Sequence, residues 1–183
     1  MRQFFPRCLS DRATTMPELM MAIAIFTVIT LAVFVSFMVG NNSWQLNSVQ
    51  IELQQELRKA TTWLTRELRQ SGVWYDIDGI SVDDDGAVDA SITFRVSNSV
   101  DNATGLIIWS DAITYSIGGA NLDQIIRQDS VDTSIIANRI DTLEFTRSAT
   151  EANVVSVHIV VEGNTATGRT ITMETVFDVR LRN

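Results

Sequence analysis

The chain has 183 residues, enough for one membrane-crossing helix and one further domain, and its 22 acidic and 14 basic residues give a net charge of −8. An acidic chain of this kind does not attract nucleic acid electrostatically. Its single cysteine, Cys8, excludes an internal disulfide and a thiolate metal site. The single histidine, His158, has no second histidine to complete a catalytic pair or a metal set. The sequence therefore does not indicate an enzyme.

The first predicted element is an apolar helix. Residues 19–39 carry no charge, and about 20 apolar residues at 1.5 Å each span the roughly 30 Å hydrocarbon core of a bilayer. Arg2, Arg7 and Arg12 lie upstream and favour a cytoplasmic N-terminus. Glu18 stands directly before the run, where a carboxylate is costly and usually has a partner. The alternative for Glu18 is an exposed acid on the cytoplasmic flank.

A helical period continues beyond the apolar run. We predict one helix over residues 17–71, with Gly72 as its C-terminal stop and its outer half packed on a domain. Residues 40–43 (GNNS) are weak helix formers, so a bend or local break is expected there. Glu56 and Lys59 are assigned to the exposed surface as a modest i,i+3 pair. The apolar stripe consists of Leu46, Val49, Leu53, Leu57, Ala60, Leu64 and Leu68.

The rest of the chain alternates as β-strands do. Short β-rich segments at 92–96, 106–109 and 113–117 are separated by turn residues, and 122–128 is the predicted hairpin partner of 113–117. Three later strands each have one apolar face: Leu143 and Phe145; Val155, Val157, Ile159 and Val161; Ile171, Met173, Thr175, Phe177, Val179 and Leu181. A long helix on an antiparallel meander is an α+β fold.

His158 and four aromatic residues are further candidates for a site. His158 is predicted to be a partly exposed strand residue on the face opposite the apolar one, rather than a general base. Trp63, Trp74, Tyr75 and Trp109 are candidates for an exposed aromatic patch. Burial in the core is the prediction for each, because large aromatic side chains are mostly buried.

An acidic loop lies between the helix and the strands. Its carboxylates are the kind of oxygen ligand that calcium takes, and the candidate ligands are Asp76, Asp78, Asp83, Asp85 and Asp89. Taking Ser81 as position 1 of an EF-hand loop places Ile92 at position 12, where a bidentate glutamate is required. The loop is therefore not an EF-hand. We predict a solvated acidic loop and no cofactor, with calcium as the alternative.

The order of these N-terminal features resembles that of type IV pilins and of the pseudopilins of type II secretion systems. In that family a prepilin peptidase cuts before the apolar helix and methylates the new N-terminus. The resemblance implies a cut between Ala13 and Thr14, methylation of Thr14, and a role in assembly for Glu18, the fifth mature residue. Ala13 stands where the family usually has Gly, Thr14 where it has Phe or Met, and Pro17 where it has an aliphatic residue.

The second half is similar to the J-type minor pseudopilins and the related W-type minor pilins. In those families a strand pair ending in arginine precedes a short helix and a phenylalanine strand, and the chain often ends in Arg-Asn. The resemblance therefore implies a short helix at Ile136 and Ala137. The residues that hold the family's places here are Arg127, Ile136, Ala137, Ile140, Phe145, Arg182 and Asn183.

The resemblance also implies an organisation and a function. The segments would be a prepilin leader (1–13), a transmembrane and assembly helix (14–42) and a pilin-like head (43–183). The chain would be a single-pass inner-membrane protein with a cytoplasmic N-terminus and a periplasmic head. It would join other minor pseudopilins by helix packing in a pseudopilus tip, after processing by the prepilin peptidase. The alternatives are a minor pilin of a type IV pilus and a membrane-anchored extracytoplasmic binding or accessory domain.

Overall fold

A computed structural model describes residues 15–71, 81–82, 88–147, 150–151 and 153–181. In these ranges one long helix near the N-terminus is followed by ten strands. All of the strand pairs are antiparallel. The predicted α+β fold, with a long N-terminal helix packed on antiparallel sheets, is confirmed.

The chain divides into two compact units, Met1–Trp44 and Gln45–Asn183, and we call the second unit the head. Helix α1 (Met16–Leu68) has 53 residues and begins in the first unit. It is uninterrupted at residues 40–43, so the local break predicted there is wrong. Extending an existing helix through a weak former costs no more than about 1 kcal/mol per residue, and helix already exists on both sides.

The end of α1 lies close to the predicted one. Ser71 donates hydrogen bonds from its backbone N and from its Oγ to the carbonyl oxygen of Leu68, at 3.1 and 2.7 Å. These bonds satisfy a carbonyl that has no partner within the helix. The predicted stop at Gly72 lies outside the described residues.

The strands form two four-stranded sheets and a two-stranded ribbon. One sheet has the order β1-β8-β9-β10, the other has the order β2-β5-β6-β7, and β3 pairs with β4. The strands are β1 (Val88–Asp89), β2 (Ser91–Phe94), β3 (Ser97–Val100), β4 (Ile107–Trp109), β5 (Ile113–Gly118), β6 (Gln124–Gln128), β7 (Thr133–Asn138), β8 (Ile140–Arg147), β9 (Val154–Asn164) and β10 (Thr170–Arg180).

The core of the head lies between α1 and the sheets, and it confirms the predicted apolar faces. The stripe of α1 contributes Leu53, Leu57, Ala60, Leu64 and Leu68, all of them buried. The apolar face of β9 contributes Val155, Val157, Ile159 and Val161, which are fully buried. Gly163 continues that face, and a Cβ there would lie 3.0 Å from Val49 Cγ1 and 3.2 Å from Leu53 Cδ2. The glycine thus allows β9 to approach the helix closely.

The strands around residue 136 differ from what the resemblance implies. Ile136 and Ala137 lie on β7, so the short helix expected there is wrong. Residues 133–138 (TSIIAN) are rich in β-branched side chains, which favour strands, and β7 pairs with β6 on both sides of an irregularity at Ile136. The hairpin predicted for 113–117 and 122–128 is confirmed as the β5–β6 pair, in which Tyr115 lies opposite Arg127.

Candidate functional site

The first candidate site is the apolar segment of α1, residues 16–39. It is long and apolar enough to cross a membrane, and none of its most apolar window is buried within the protein. Large side chains project from all around it, as shown by Met20, Phe26 and Phe37, each at least 70% exposed. A helix that is apolar on every side is stable only in lipid or among other apolar helices. The segment therefore requires a partner or a membrane around it.

Glu18 lies at the start of this segment and has a local partner. Its Oε2 accepts hydrogen bonds from the backbone N and the Oγ1 of Thr15, at 2.9 and 3.0 Å. Thr15 directly precedes the helix, so this is the half of a capping box in which a glutamate binds the N–H of the N-cap residue. Glu18 is also the only charged residue of α1 before Glu52. The predicted processing residues, Ala13 and Thr14, lie outside the described ranges.

The acidic loop is described only in small part. Asp76, Asp78, Asp83 and Asp85 lie outside the described residues, whereas Asp89 is in β1, opposite Phe145. Where the chain is described, no group of three His, Cys, Asp or Glu residues could hold a metal ion. Of the five candidate ligands only Asp89 is described, so the calcium alternative stays a prediction.

A mostly buried cluster of charged and polar side chains joins α1 to the β5–β6 hairpin. Arg127 Nε lies 3.1 Å from both carboxylate oxygens of Glu67, and the Tyr115 hydroxyl donates to Glu67 Oε2 at 2.9 Å. Arg127 Nη1 also donates to Asp129 Oδ2 at 2.7 Å. The side chains of Arg127 and Glu67 are only 19% and 13% exposed, and Tyr115 is fully buried.

The pKa of three groups in this cluster is shifted by burial and by neighbouring charges. Burial, together with the adjacent carboxylate of Glu67, raises the pKa of Tyr115 far above its ordinary value. Burial lowers the pKa of Arg127, but hydrogen bonds to Asp129 and Glu67 outweigh it, so the net pKa is raised. Bonds from Arg127 and from the backbone N–H groups of Val131 and Asp132 lower the pKa of Asp129 to about 2. The shifts favour a protonated Tyr115, a charged Arg127 and an ionised Asp129 at neutral pH, so the cluster is an electrostatic contact between α1 and the hairpin.

A second glutamate of α1 also binds the sheet. Glu56 Oε2 accepts a hydrogen bond from the backbone N of Asn138 at 2.9 Å, and Oε1 accepts from Lys59 Nζ at 2.6 Å. Glu56 is only 8% exposed, so its predicted place on the exposed surface is wrong, although the predicted pair with Lys59 is confirmed. A buried glutamate costs less when it accepts two hydrogen bonds, one of them from a cation.

Sequence reasoning missed the roles of Glu56 and Glu67, although one signal was present. Glu56 lies three residues after Leu53, and Glu67 lies three residues after Leu64, so both flank the apolar stripe. Residues three apart on a helix share a face. Their partners, Asn138 and Arg127, lie 82 and 60 positions further along the chain. That separation is why the pairs cannot be predicted from helical periodicity.

His158 occupies the partly exposed strand position that was predicted. Its Nδ1 lies 2.9 Å from Glu144 Oε2 on β8, and its Nε2 lies 3.8 Å from Glu174 Oε2 on β10. The two carboxylates contact different ring nitrogens, on opposite sides of the imidazole, so they do not converge on one metal position. This cluster links three strands across the outer face of the sheet.

One aromatic prediction is wrong. Trp63 is 43% exposed and, with Gln55, Arg58, Lys59 and Thr62, lines a shallow groove on the outer side of α1. It lies beside the buried stripe rather than within it, so the helix turns its ring toward solvent. Trp109 is half-buried in β4. Trp74 and Tyr75 lie outside the described residues.

Of the sequence-predicted site residues, Glu18 is described in the first unit and Asp89 in the head. No family model, curated protein or solved structure matches the chain. The exposed apolar segment of α1 is the feature of the chain that bears most directly on its function.

Proposed function

We propose that the chain is a minor pseudopilin-like structural subunit, which assembles through its N-terminal helix into a periplasmic pseudopilus tip for type II protein secretion. The observation that carries the proposal is the apolar segment of α1, exposed on all sides and with Glu18 as its single charge. In this proposal the segment spans the inner membrane before assembly and lies among neighbouring helices afterwards. The N-terminus is cytoplasmic, the head is periplasmic, and the partners are other minor pseudopilins and the prepilin peptidase.

The single charge supports assembly in one register. Apolar helices gain little free energy by leaving lipid for one another, so packing and polar contacts decide how they associate. An unpaired carboxylate among apolar helices costs several kcal/mol. Processing between Ala13 and Thr14 would create an α-amino group on each subunit. The amino group of a neighbouring subunit placed next to Glu18 would offset that cost. If the helices were shifted along each other, the amino group would not reach Glu18 and the cost would remain.

The hydrogen bonds from Thr15 give Glu18 a second, purely local role as a helix cap. A substitution separates this role from the proposed role in assembly. Glu18→Gln keeps an oxygen that can accept the Thr15 bond but removes the charge. We expect this variant to be inserted and processed like the wild type, but to enter the filament at about one tenth of the wild-type level or less. Glu18→Asp is the matched control for charge. Normal assembly of the glutamine variant would leave Glu18 as a helix cap only.

Processing is the direct test of the whole proposal. Mass spectrometry of the chain purified from membranes of cells that contain a prepilin peptidase is expected to show a methylated N-terminus at Thr14. Ala13→Arg, which removes the small residue before the cut, should leave Met1 in place. An intact Met1 in the functioning wild type would instead favour the membrane-anchored binding domain. A chain that begins after residue 39 would exclude both readings.

A further inference from the structure

The outer face of α1 within the head is basic. Directly opposite the buried stripe, the helix carries Arg58, Lys59, Arg66 and Arg69, all exposed. Arg58 and Lys59 are adjacent, Arg66 follows seven residues after Lys59, and Arg69 follows three residues after that, so the four lie along one side of the helix over about three turns. Trp63 lies at the edge of the strip and adds an exposed apolar surface. We call these five residues the basic face.

The acids of the same helix are used within the head. Glu67 binds Arg127 and Tyr115, Glu56 binds Asn138 and Lys59, and Glu52 lies 3.0 Å from Arg139 Nη2. Across the described residues, Arg58, Arg66 and Arg69 have no such ion pair. The strip is therefore basic because Glu56 and Glu67 bind the sheet and Glu52 is paired with Arg139, although the chain as a whole is acidic.

The outer face of the sheet β8–β9–β10 has the opposite charge. Strand alternation places four carboxylates on it, and its basic residues are Arg180, which is paired with Glu151, and His158. Val176, which is 64% exposed, lies opposite His158 near the middle of this face. The carboxylates are those of Glu144, Glu162, Glu174 and Asp178. We call these four residues with Val176 the acidic face.

The two faces lie on opposite sides of the head. The inward face of β9 contacts α1, as Gly163 shows by its approach to Val49 and Leu53. Side chains alternate along a strand, so the acidic face of β9 and β10 points away from the helix. The basic face likewise points away from the sheet. Across the head, the order of the layers is therefore the basic face, helix α1, the apolar core, the sheet and the acidic face.

We propose that copies of this chain dock head to tail, with the basic face of one copy on the acidic face of the next. The proposal goes beyond the proposed function, in which the partners are other minor pseudopilins, because it makes a second copy of this chain a partner as well. Each face carries four charges of one sign beside one exposed apolar side chain, Trp63 or Val176, so opposite charges and apolar surface can meet in one contact. Because the two faces differ, the contact is heterologous and leaves a free face at each end. Such a contact can repeat from one copy to the next in a single direction.

The test exchanges charges between the two faces of the full chain. Arg58→Glu with Arg66→Glu gives a helix variant, and Glu174→Lys with Asp178→Lys gives a sheet variant. Each variant alone brings like charges together and should self-associate roughly tenfold more weakly than the wild type. A mixture of the two restores opposite charges at both possible contacts, so it should recover association.

Association is measured by sedimentation of the full chain in detergent, at a ratio that keeps one chain per micelle. Wild-type association should weaken by about tenfold or more between 0.05 and 0.5 M NaCl, because the Debye length shortens over this range. Arg95→Glu with Arg169→Glu changes the charge as much as the helix variant does, at exposed positions outside both faces. This control should associate like the wild type.

Two results would overturn the head-to-tail contact. One is equal association of the wild type and both variants, and the other is failure of the mixture to recover. Binding of the wild type only to an acidic protein other than itself would give the basic face a different occupant and would also overturn it. Thr14 at the N-terminus together with charge-independent association would refute this contact alone. An intact Met1 together with charge-dependent association would refute the pseudopilin role and leave the contact standing.

Discussion

Glu67 in the last turns of α1 and Arg127 on β6 form a mostly buried ion pair, although 60 positions separate them in the chain. The Tyr115 hydroxyl completes the coordination of the carboxylate at 2.9 Å. Tyr115 and Arg127 are register partners on neighbouring strands, so one glutamate binds both strands of the hairpin. This contact fixes the C-terminal part of the helix on the β5–β6 hairpin.

Arg127→Met should destabilise the head. It leaves the carboxylate of Glu67 mostly buried with one remaining partner, and breaking a buried pair in this way costs about 3–5 kcal/mol of unfolding free energy. Urea unfolding of the full chain in detergent, followed by tryptophan fluorescence, measures the change. Arg95→Met, at an exposed position, is the control and should change the unfolding free energy by less than about 0.5 kcal/mol.

A double-mutant cycle with Glu67→Gln isolates the pair. Since glutamine carries no charge, adding it to Arg127→Met should recover about 1 kcal/mol or more of the loss. Additive losses would contradict a direct interaction between the two side chains.

Asp129 should make the head sensitive to acid. Its pKa is about 2 in the folded chain against an ordinary 3.8, so the folded state favours the ionised form. The resulting stabilisation is present above about pH 4 and is lost as the pH falls toward 2. Asp129→Asn removes it, so the difference in urea midpoint between wild type and variant should shrink over that interval. A constant difference from pH 5 to pH 2 would contradict the assignment.

Glu56→Ala should lower the free energy of unfolding by more than a substitution at an exposed position, which is where the sequence placed Glu56. It leaves the Asn138 N–H without its acceptor in a partly buried site, which costs about 1–3 kcal/mol. Glu56→Gln keeps an acceptor oxygen and should lose less. Lys59→Ala removes only the half-exposed ion pair, and we expect less than about 1 kcal/mol. Equal effects of Glu56→Ala and Lys59→Ala in urea unfolding would show that the backbone bond contributes little.

Gly163→Ala should strain the contact between β9 and α1. The added Cβ would meet Val49 Cγ1 at 3.0 Å and Arg139 Nη1 at 3.1 Å, and overpacking of this kind costs about 1–3 kcal/mol. Val49→Ala removes one of the opposing atoms, so the double variant should lose less than the sum of the two single variants. Thermal unfolding by circular dichroism reports the comparison. A neutral Gly163→Ala would mean that the helix and strand move apart freely.

Features that depend on local periodicity were predictable, and features that depend on distant partners were not. The alternation in β9 and β10 fixes which side chains are buried, and the step of three and four in α1 does the same for its stripe. The family pattern suggested a helix at Ile136, but pairing with β6 decides that segment, and no local rule includes a pairing partner.

The same limit applies to the candidate site. The apolar segment before residue 40 could be recognised from composition alone. The inward use of Glu56 and Glu67, and with it the basic outer side of α1, depends on contacts with β6 and β7. Trp63 was expected in the core because of its size, but its place beside the stripe decides its exposure.

The position of β10 has a consequence for solubility. This 11-residue strand is the last in its sheet among the described residues, paired only with β9, so one row of its backbone amides and carbonyls has no strand beside it. Unpaired edges of this length invite amyloid-like stacking, and charged side chains oppose it. Glu174, Asp178 and Arg180 project from this strand. The carboxylates proposed to bind a neighbouring copy would also oppose the addition of a foreign strand to the edge of β10 before the subunit is assembled.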